Sequence, residues 1–260
     1  MTAQACLLLI LVWSSSTVLA GQVDFGDCPG KPRQGAQDQD LSSASVLSRG
    51  RSRGAASARV SVAELQIPRN ARSTLRKASE ALHKKNPSKA IGYIDKAIDL
   101  YPRFSQALAM RALLERDTHP EQAQVDAEKA VEYDSAFSNG YVALASVYIA
   151  LGKFDDAIRA LNYAIAANPE AWQGYYEMSR AFVGKRDYTA AFHQMETTCS
   201  LLTEAYPFLH LAKADILIGL KNDNAAAREL EAYLAEEPDS QDSPRAKSNL
   251  ASLRTAGHHE

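Results

Sequence analysis

The side chains best suited to chemistry in this sequence are six histidines and three cysteines. His258 and His259 lie at the C-terminal end, and the other four histidines are widely separated along the chain. No HExxH or CxxC spacing occurs, so no short motif gathers ligands for zinc. His193 and Cys199 share a predicted helix, but six helical residues separate their directions by roughly 120°. That spacing is poor for a nucleophile and its base.

Other catalytic signatures are missing from the sequence as well. No GxSxG elbow and no glycine-rich loop that could cradle a phosphate is present. The composition is that of an ordinary soluble helical protein, with 46% hydrophobic residues, 23% charged residues and a formal net charge of −2. We therefore predict a protein that is not an enzyme and that carries no cofactor and no metal site.

The elements that would position any site are most clearly visible between Ser138 and Ala171. Tyr141, Leu144 and Tyr148 follow the i, i+3, i+7 spacing of an apolar helical face. Gly152 provides a stop signal, since glycine adopts the left-handed conformation without a side-chain penalty. A second amphipathic helix follows and ends before a proline. Two such helices cannot bury both apolar faces on each other, so they need similar neighbours.

Similar neighbours recur at intervals of 33 to 35 residues, giving five copies of the unit. The second helix of each copy opens with a small residue: Ala90, Ala123, Ala157, Ala191 and Ala226. One turn later each copy carries Ile94, Ala127, Leu161, Met195 or Leu230. The following turn carries Ala97, Ala130, Ala164, Thr198 or Tyr233. Prolines close three of the copies, at positions 102, 169 and 238.

This pattern resembles the tetratricopeptide repeat, a helix–turn–helix unit of about 34 residues. The resemblance implies an all-α, right-handed α-solenoid of five repeats, at 71–103, 104–137, 138–171, 172–206 and 207–240. Residues 241–260 would form a capping helix and tail. Arg111 replaces a usual small residue, and Lys77 and Lys213 replace a usual leucine. The two lysines suit end repeats, which have one side facing water.

The chain before the repeats divides into three predicted segments. Residues 1–20 combine a short apolar run with Val18-Leu19-Ala20, which is typical of a cleaved secretory signal peptide. We therefore expect export to the periplasm or the cell exterior. Residues 21–59 have few bulky apolar side chains and are predicted to be disordered. Residues 60–70 are predicted to form an extended lead-in that covers the first repeat.

Two cysteines, Cys28 and Cys199, remain after signal removal. A disulfide between them is one alternative in an oxidising compartment, but two cysteines form no disulfide framework. The other alternative, which the sequence favours, is a free thiol in the tail and a packed thiol in a helix.

Charge is unevenly distributed along the chain. Eleven Lys or Arg residues lie between Arg49 and Lys89, against two acidic residues. An alternative function is therefore an envelope-associated accessory protein whose basic arm binds anionic glycan or lipid. No aromatic residue interrupts this arm to stack on bases, so no nucleic-acid partner is expected.

The resemblance implies that the first helices of successive repeats line a concave groove. We predict that the groove binds an extended peptide or partner segment and makes the protein an interaction scaffold. Its predicted binding residues are Asn139, Val142, Ser146, Gln173, Tyr176, Arg180, Leu211 and Asp215. Tyr176 and Arg180 are the predicted centre. The alternative is that Tyr176 packs between repeats and Arg180 pairs with Glu177 or is solvated.

Overall fold

The computed structural model of the protein describes residues 65–202 and 206–256, and every regular element within these ranges is a helix of the all-α class. The described helices are α1 (Arg69–His83), α2 (Pro87–Leu100), α3 (Ser105–Glu115), α4 (Pro120–Tyr133), α5 (Ser138–Ala150), α6 (Phe154–Ala167), α7 (Trp172–Gly184), α8 (Tyr188–Leu201), α9 (Pro207–Gly219), α10 (Asp223–Glu236) and α11 (Ser243–Ala256). They form five consecutive pairs and a final single helix. The predicted α-solenoid with a C-terminal capping helix is confirmed.

Each pair packs on the next to build one continuous core. The second helix of a pair contacts the first helix of the following pair, as α4 does with α5 and α6 with α7. The first helices also contact one another, because α3 packs on α5 and α5 on α7. They therefore form one layer of the solenoid, while the second helices form the other.

The repeated small and bulky positions of the second helices are the centre of this core. All five opening alanines are 0% exposed, and so are the five side chains one turn later. The positions of the following turn are at most 4% exposed. Because an alanine brings two backbones close together, the bulky side chain beside it fills the space between neighbouring helices. The register predicted from the sequence is therefore confirmed.

The two ends of the solenoid are covered in different ways. Ile67, in the predicted lead-in, packs against the core of the first pair, whereas Leu65 is 70% exposed. The predicted segments 1–20 and 21–59 lie outside the described residues, as do positions 60–64. At the other end, α11 buries Ala246 and Leu250 against α10, which is the capping contact predicted for this helix. No helix in the described ranges is long and apolar enough to cross a membrane.

The turn inside most pairs uses one residue in the left-handed conformation. Gly152 has φ 72°, and the equivalent positions Lys85, Arg186 and Lys221 have φ 55°, 60° and 57°. In each of these turns the next residue donates a backbone hydrogen bond five positions back, for example from Lys153 N to Tyr148 O at 2.8 Å. This is the bond that satisfies an orphan carbonyl at a helix C-terminus. Three of the four turns therefore hold a long side chain where glycine is least strained.

Replacing Arg186 by glycine is expected to stabilise the protein by about 0.5–1 kcal/mol. The change removes the left-handed penalty of a side chain, and this gain exceeds the entropy lost by ordering glycine. Urea unfolding monitored by circular dichroism measures the difference. The matched control is Lys96→Gly in the middle of α2, which should instead destabilise by about 1 kcal/mol. A destabilised Arg186→Gly would contradict the proposed strain.

Arg111, the departure from the small-residue pattern, links two consecutive pairs. It donates from Nη1 to Asp95 Oδ1 at 2.9 Å and from Nε to Asp126 Oδ2 at 2.7 Å. Asp126 is 1% exposed, so its charge is compensated only inside this network. The hydrogen bond that Arg111 donates to Asp126 raises the pKa of Arg111 although burial opposes it. Arg111 therefore forms a buried ion pair with Asp126 inside its own repeat and a half-exposed one with Asp95 across the joint between repeats.

The expectation that Lys213 faces water is wrong. Lys213 is 5% exposed and its Nζ lies 2.9 Å from Glu229 Oε1, while His210 Nδ1 lies 2.6 Å from Glu229 Oε2. Burial alone would raise the pKa of Glu229, but the hydrogen bonds from His210 and Lys213 outweigh it and lower the pKa. The carboxylate of α10 thus allows a lysine of α9 to lie in the core. Lys77, in the first repeat, is exposed as expected.

Candidate functional site

An open groove of about 960 Å³ runs along the solenoid. It extends from Lys85, in the turn after α1, to Arg245 in α11, and every repeat contributes to its lining. Most of the lining comes from the C-terminal halves of the first helices and from the loop between α10 and α11. The groove is therefore a property of the assembled solenoid, and no single repeat contains it.

The middle of the groove is apolar and aromatic. Tyr176 of α7 and Phe208 of α9 meet edge to face, with ring centroids 5.4 Å apart and an interplanar angle of 78°. Behind them, Trp172 contacts both rings and stacks on Tyr206 with centroids 5.8 Å apart. Such pairs fix ring orientations beyond what area burial provides. The cluster gives the groove a rigid floor, and Leu211 extends it toward α11.

A buried charge cluster lies at one end of this floor. Glu177 is 1% exposed, and both of its carboxylate oxygens accept from Arg180 Nη1, at 3.0 and 2.7 Å. Arg116, at the end of α3, is 2% exposed and donates to Ser146 Oγ. Burial lowers the pKa of Arg116, and the nearby positive charge of Arg180 lowers it further. Arg180 therefore pairs with the buried Glu177, while the nearby Arg116 pairs with Asp117, whose Oδ1 lies 3.6 Å from Arg116 Nε.

The opposite end of the groove is acidic. Asp215 of α9 faces the loop between α10 and α11, which places Glu237, Asp239 and Asp242 along the same wall. Arg245 Nη1 lies 3.2 Å from Asp215 Oδ2, yet burial raises the pKa of Asp215 in spite of this partner. One basic residue thus stands among four carboxylates.

The loop that carries these acids is held by a chain of hydroxyl groups. Tyr233 Oη and Ser240 Oγ lie 2.5 Å apart, and Ser240 Oγ lies 2.8 Å from Ser243 Oγ. Ser243 Oγ in turn donates to the carbonyl of Glu237 at 2.6 Å. These bonds fix the acidic wall relative to α10 and α11.

The structure places the eight predicted binding residues in two groups. Tyr176, Arg180, Leu211 and Asp215 line the groove. The other four do not line it: Asn139 is half-buried, and Val142, Ser146 and Gln173 are buried with at most 5% exposed. These four side chains lie in contacts between helices, because the face of each first helix that lines the groove is narrower than helical spacing alone suggests. Whether any of the eight contacts a partner stays a prediction.

The two residues predicted as the centre of binding also have structural partners. Tyr176 is 9% exposed and packs between Trp172 and Phe208, while Arg180 neutralises Glu177. These are the contacts of the alternative considered from the sequence. Arg180 nevertheless keeps 31% of its side chain exposed toward the groove, so it can still contact a ligand.

Sequence reasoning missed two prominent lining residues, Arg116 and Phe208. A signal for both was present. Arg116 follows Ala112 of the same apolar stripe by four positions, and Phe208 precedes the predicted binding residue Leu211 by three. Both spacings keep side chains on one helical face. The acidic wall at 237–242 had no such signal, because a loop has no helical period.

The chemically reactive side chains form no metal-binding group in the part of the chain that the structure describes. No three His, Cys, Asp or Glu side chains there are placed to hold a metal ion. His193 is exposed and His210 is buried against Glu229. Cys199 is 8% exposed and disulfide-bonded, so the favoured expectation of a free packed thiol is wrong. Cys28 lies outside the described residues.

Comparisons with known proteins identify the repeat. The family model described as tetratricopeptide repeat (TPR) matches residues 142–196. A thermophilic TPR protein of Thermus thermophilus superposes with a TM-score of 0.63 at 18% identity, over 70% of this chain and 99% of that chain. The pilF protein of Pseudomonas aeruginosa superposes with a TM-score of 0.55 at 16% identity, over 70% and 88%.

A tetratricopeptide repeat protein from Parabacteroides merdae gives a TM-score of 0.51 at 15% identity, over 72% of this chain and 75% of that chain. No curated protein matches the sequence. The helix pairs, the repeated core positions and the match over residues 142–196 agree, and the chain has the fold of tetratricopeptide repeat proteins. Proteins of this kind generally bind other proteins and act as non-catalytic scaffolds.

Proposed function

We propose that this protein is a non-enzymatic scaffold that binds an extended segment of a partner protein in the groove. The observation that carries the proposal is the groove itself, with its aromatic floor between Tyr176 and Leu211 and its oppositely charged ends. An extended segment can contact all three regions at once, because they follow one another along successive helices. Tyrosine and arginine, which Tyr176 and Arg180 supply in the groove, are also among the residue types that dominate measured binding hot spots.

The charges indicate the chemistry of the partner segment. Arg180 and the exposed Lys85 favour an acidic side chain at one end of the groove. Asp215 and the exposed Asp239 favour a basic side chain at the other end. The aromatic floor favours an apolar residue between them. We therefore propose a partner segment with an apolar centre and opposite charges at its two ends.

We also propose that the protein is exported, to the periplasm or to the cell exterior. The apolar run and the Val18-Leu19-Ala20 pattern support this localisation. The disulfide at Cys199 supports it independently, because disulfides persist mainly in oxidising compartments. Seven of the eleven basic residues of the arm lie within the described residues, from Arg69 to Lys89, and no contact in the described ranges favours the alternative function.

Replacing Ala212 by arginine is expected to weaken binding of such a segment by tenfold or more. Ala212 lines the groove between Phe208 and Asp215 and is half-buried, so a long side chain there would cover the apolar floor. Its stem can run along the surface and keep the charge in water, which leaves the fold intact. Fluorescence anisotropy with a labelled decapeptide, apolar in the centre, acidic at one end and basic at the other, measures the change.

Three controls make this test specific. Ala225→Arg in α10 changes an equally half-buried alanine outside the groove and should leave binding unchanged. Decapeptides with two acidic or two basic ends should bind more weakly than the peptide with opposite ends, since each meets one repulsive wall. Equal binding of all three peptides, or of the Ala212→Arg and Ala225→Arg variants, would contradict the groove proposal.

A further inference from the structure

A basic side chain of the protein itself lies at the acidic end of the groove. Arg245, in the first turn of α11, lines the groove, and its Nη1 lies 3.2 Å from Oδ2 of Asp215. Asp215 follows Leu211 by four positions in α9, so it stands one helical turn beyond the apolar floor. A guanidinium group therefore already occupies the place that the proposed function gives to the basic end of a partner segment.

The ion pair between Arg245 and Asp215 is of a kind that exchanges easily. The Arg245 side chain is 52% exposed and that of Asp215 is 36% exposed, and a single nitrogen of the guanidinium donates to the carboxylate. Exposed ion pairs add little stability, and exposed side chains change rotamer within nanoseconds. The buried contacts of α11 are made by Ala246 and Leu250. Arg245 can therefore leave Asp215 without loosening the capping helix.

The acidic end keeps an excess of negative charge beside this pair. Glu237, Asp239 and Asp242 line the same end, so four carboxylates face one guanidinium. Burial raises the pKa of Asp215, and the nearby Asp242 also raises it, although Arg245 opposes the rise. One arginine therefore does not neutralise this end of the groove, and a second basic side chain is attracted to it.

We propose that Arg245 is an internal competitor for the acidic end: it occupies Asp215 in the free protein, and the basic side chain of a bound segment displaces it. This role rests on the proposed function and adds a residue that determines specificity. A segment with a basic end replaces the ion pair that it breaks, so displacement costs little. A segment without a basic end leaves Arg245 in place and gains nothing at Asp215, and this difference in affinity is selectivity.

The test measures binding of the labelled decapeptide with opposite ends to the full chain, by fluorescence anisotropy. Arg245→Ala should bind this peptide about two- to fivefold more tightly than the parent, because Asp215 no longer has an internal partner to give up. Arg245→Lys, which keeps the positive charge, should bind like the parent. A decapeptide with glutamines in place of its basic end should bind the parent and Arg245→Ala equally. Weaker or unchanged binding of the first peptide by Arg245→Ala would overturn the proposal.

Two further variants separate competition from a general effect of charge. Arg254→Ala removes the same charge from α11, where Arg254 pairs with Glu231 at 2.7 Å away from the groove lining, and should bind like the parent. In an Asp215→Asn background, Arg245→Ala should give no gain, because the carboxylate for which it competes is absent. A gain from Arg254→Ala, or a gain that persists in the Asp215→Asn background, would overturn the proposal.

The parent protein and Ala212→Arg distinguish this role of Arg245 from the groove itself. If the parent binds the decapeptide and Ala212→Arg weakens the binding, the groove is supported, and the Arg245 variants alone decide the competition. If the parent does not bind the decapeptide, both proposals fail. The helical content of Arg245→Ala, measured by circular dichroism, should equal that of the parent, since the lost pair is half-exposed.

Discussion

Arg111→Ala is expected to destabilise the protein by about 3–5 kcal/mol, one of the largest effects of any single change in the described repeats. The substitution would leave Asp126, 1% exposed, without its main cation inside the core. Breaking a buried pair by removing one partner leaves an uncompensated charge, and that penalty exceeds the net value of the pair. Chemical denaturation followed by circular dichroism gives the free energy of unfolding.

Two variants test whether burial of the charge is the cause. The double variant Arg111→Ala, Asp126→Ala should lose less stability than Arg111→Ala alone, because no buried carboxylate remains unpaired. Arg159→Ala removes an exposed arginine paired with Asp156 and should cost about 1 kcal/mol or less. Equal losses for Arg111→Ala and Arg159→Ala would show that the network is not a buried one.

Leu161→Ala is expected to cost about 2–5 kcal/mol. Leu161 is 0% exposed in the central repeat and belongs to one core cluster with Ala157 of its own helix and with Ala127 and Met178 of neighbouring helices. Truncation leaves a cavity that the surrounding helices can fill only in part. Because each repeat contacts only its neighbours, a weak central repeat should also uncouple the two ends and broaden the unfolding transition.

The matched control for Leu161 is Val125→Ala in α4. Val125 is 41% exposed, so its truncation removes little buried area and should change the free energy of unfolding by less than about 0.5 kcal/mol. Calorimetry would show both the loss and the breadth of the transition. A loss below about 1 kcal/mol for Leu161→Ala would mean that the register of the central repeat is wrong.

The periodic part of the fold could be predicted from the sequence because its cause is local. Each second helix repeats an alanine and, in four of the five copies, a bulky side chain one turn later, and every copy of those two positions is 0% exposed. A helix that carries such a stripe needs a neighbour with the same stripe, so one 34-residue period determines the whole stack. The closing helix was predictable for the same reason, since the last stripe would otherwise face water.

The pairing of charged side chains was not predictable in the same way. Lys213 was expected in water, but Glu229 from the next helix allows its burial. The sequence left open whether Arg180 faces the groove or pairs with Glu177, and in the structure it binds the buried carboxylate of Glu177. In each case a carboxylate stabilises the cation where it lies. The free energy of a buried charge depends on its partner as much as on its position in the sequence.

By itself, the sequence determined the helices, their order and the residues of their core, because burial of an apolar stripe depends on spacing along one chain. Only the tertiary structure decided the groove. Its floor needs Tyr176 and Phe208 from different repeats, and its acidic wall needs a loop that faces Asp215. The burial of Val142 and Gln173 also follows only from the tertiary structure, because neighbouring helices cover faces of the first helices that helical spacing alone leaves exposed. A surface made by several repeats depends on how the repeats stack, and the period of one repeat contains no information about that stacking.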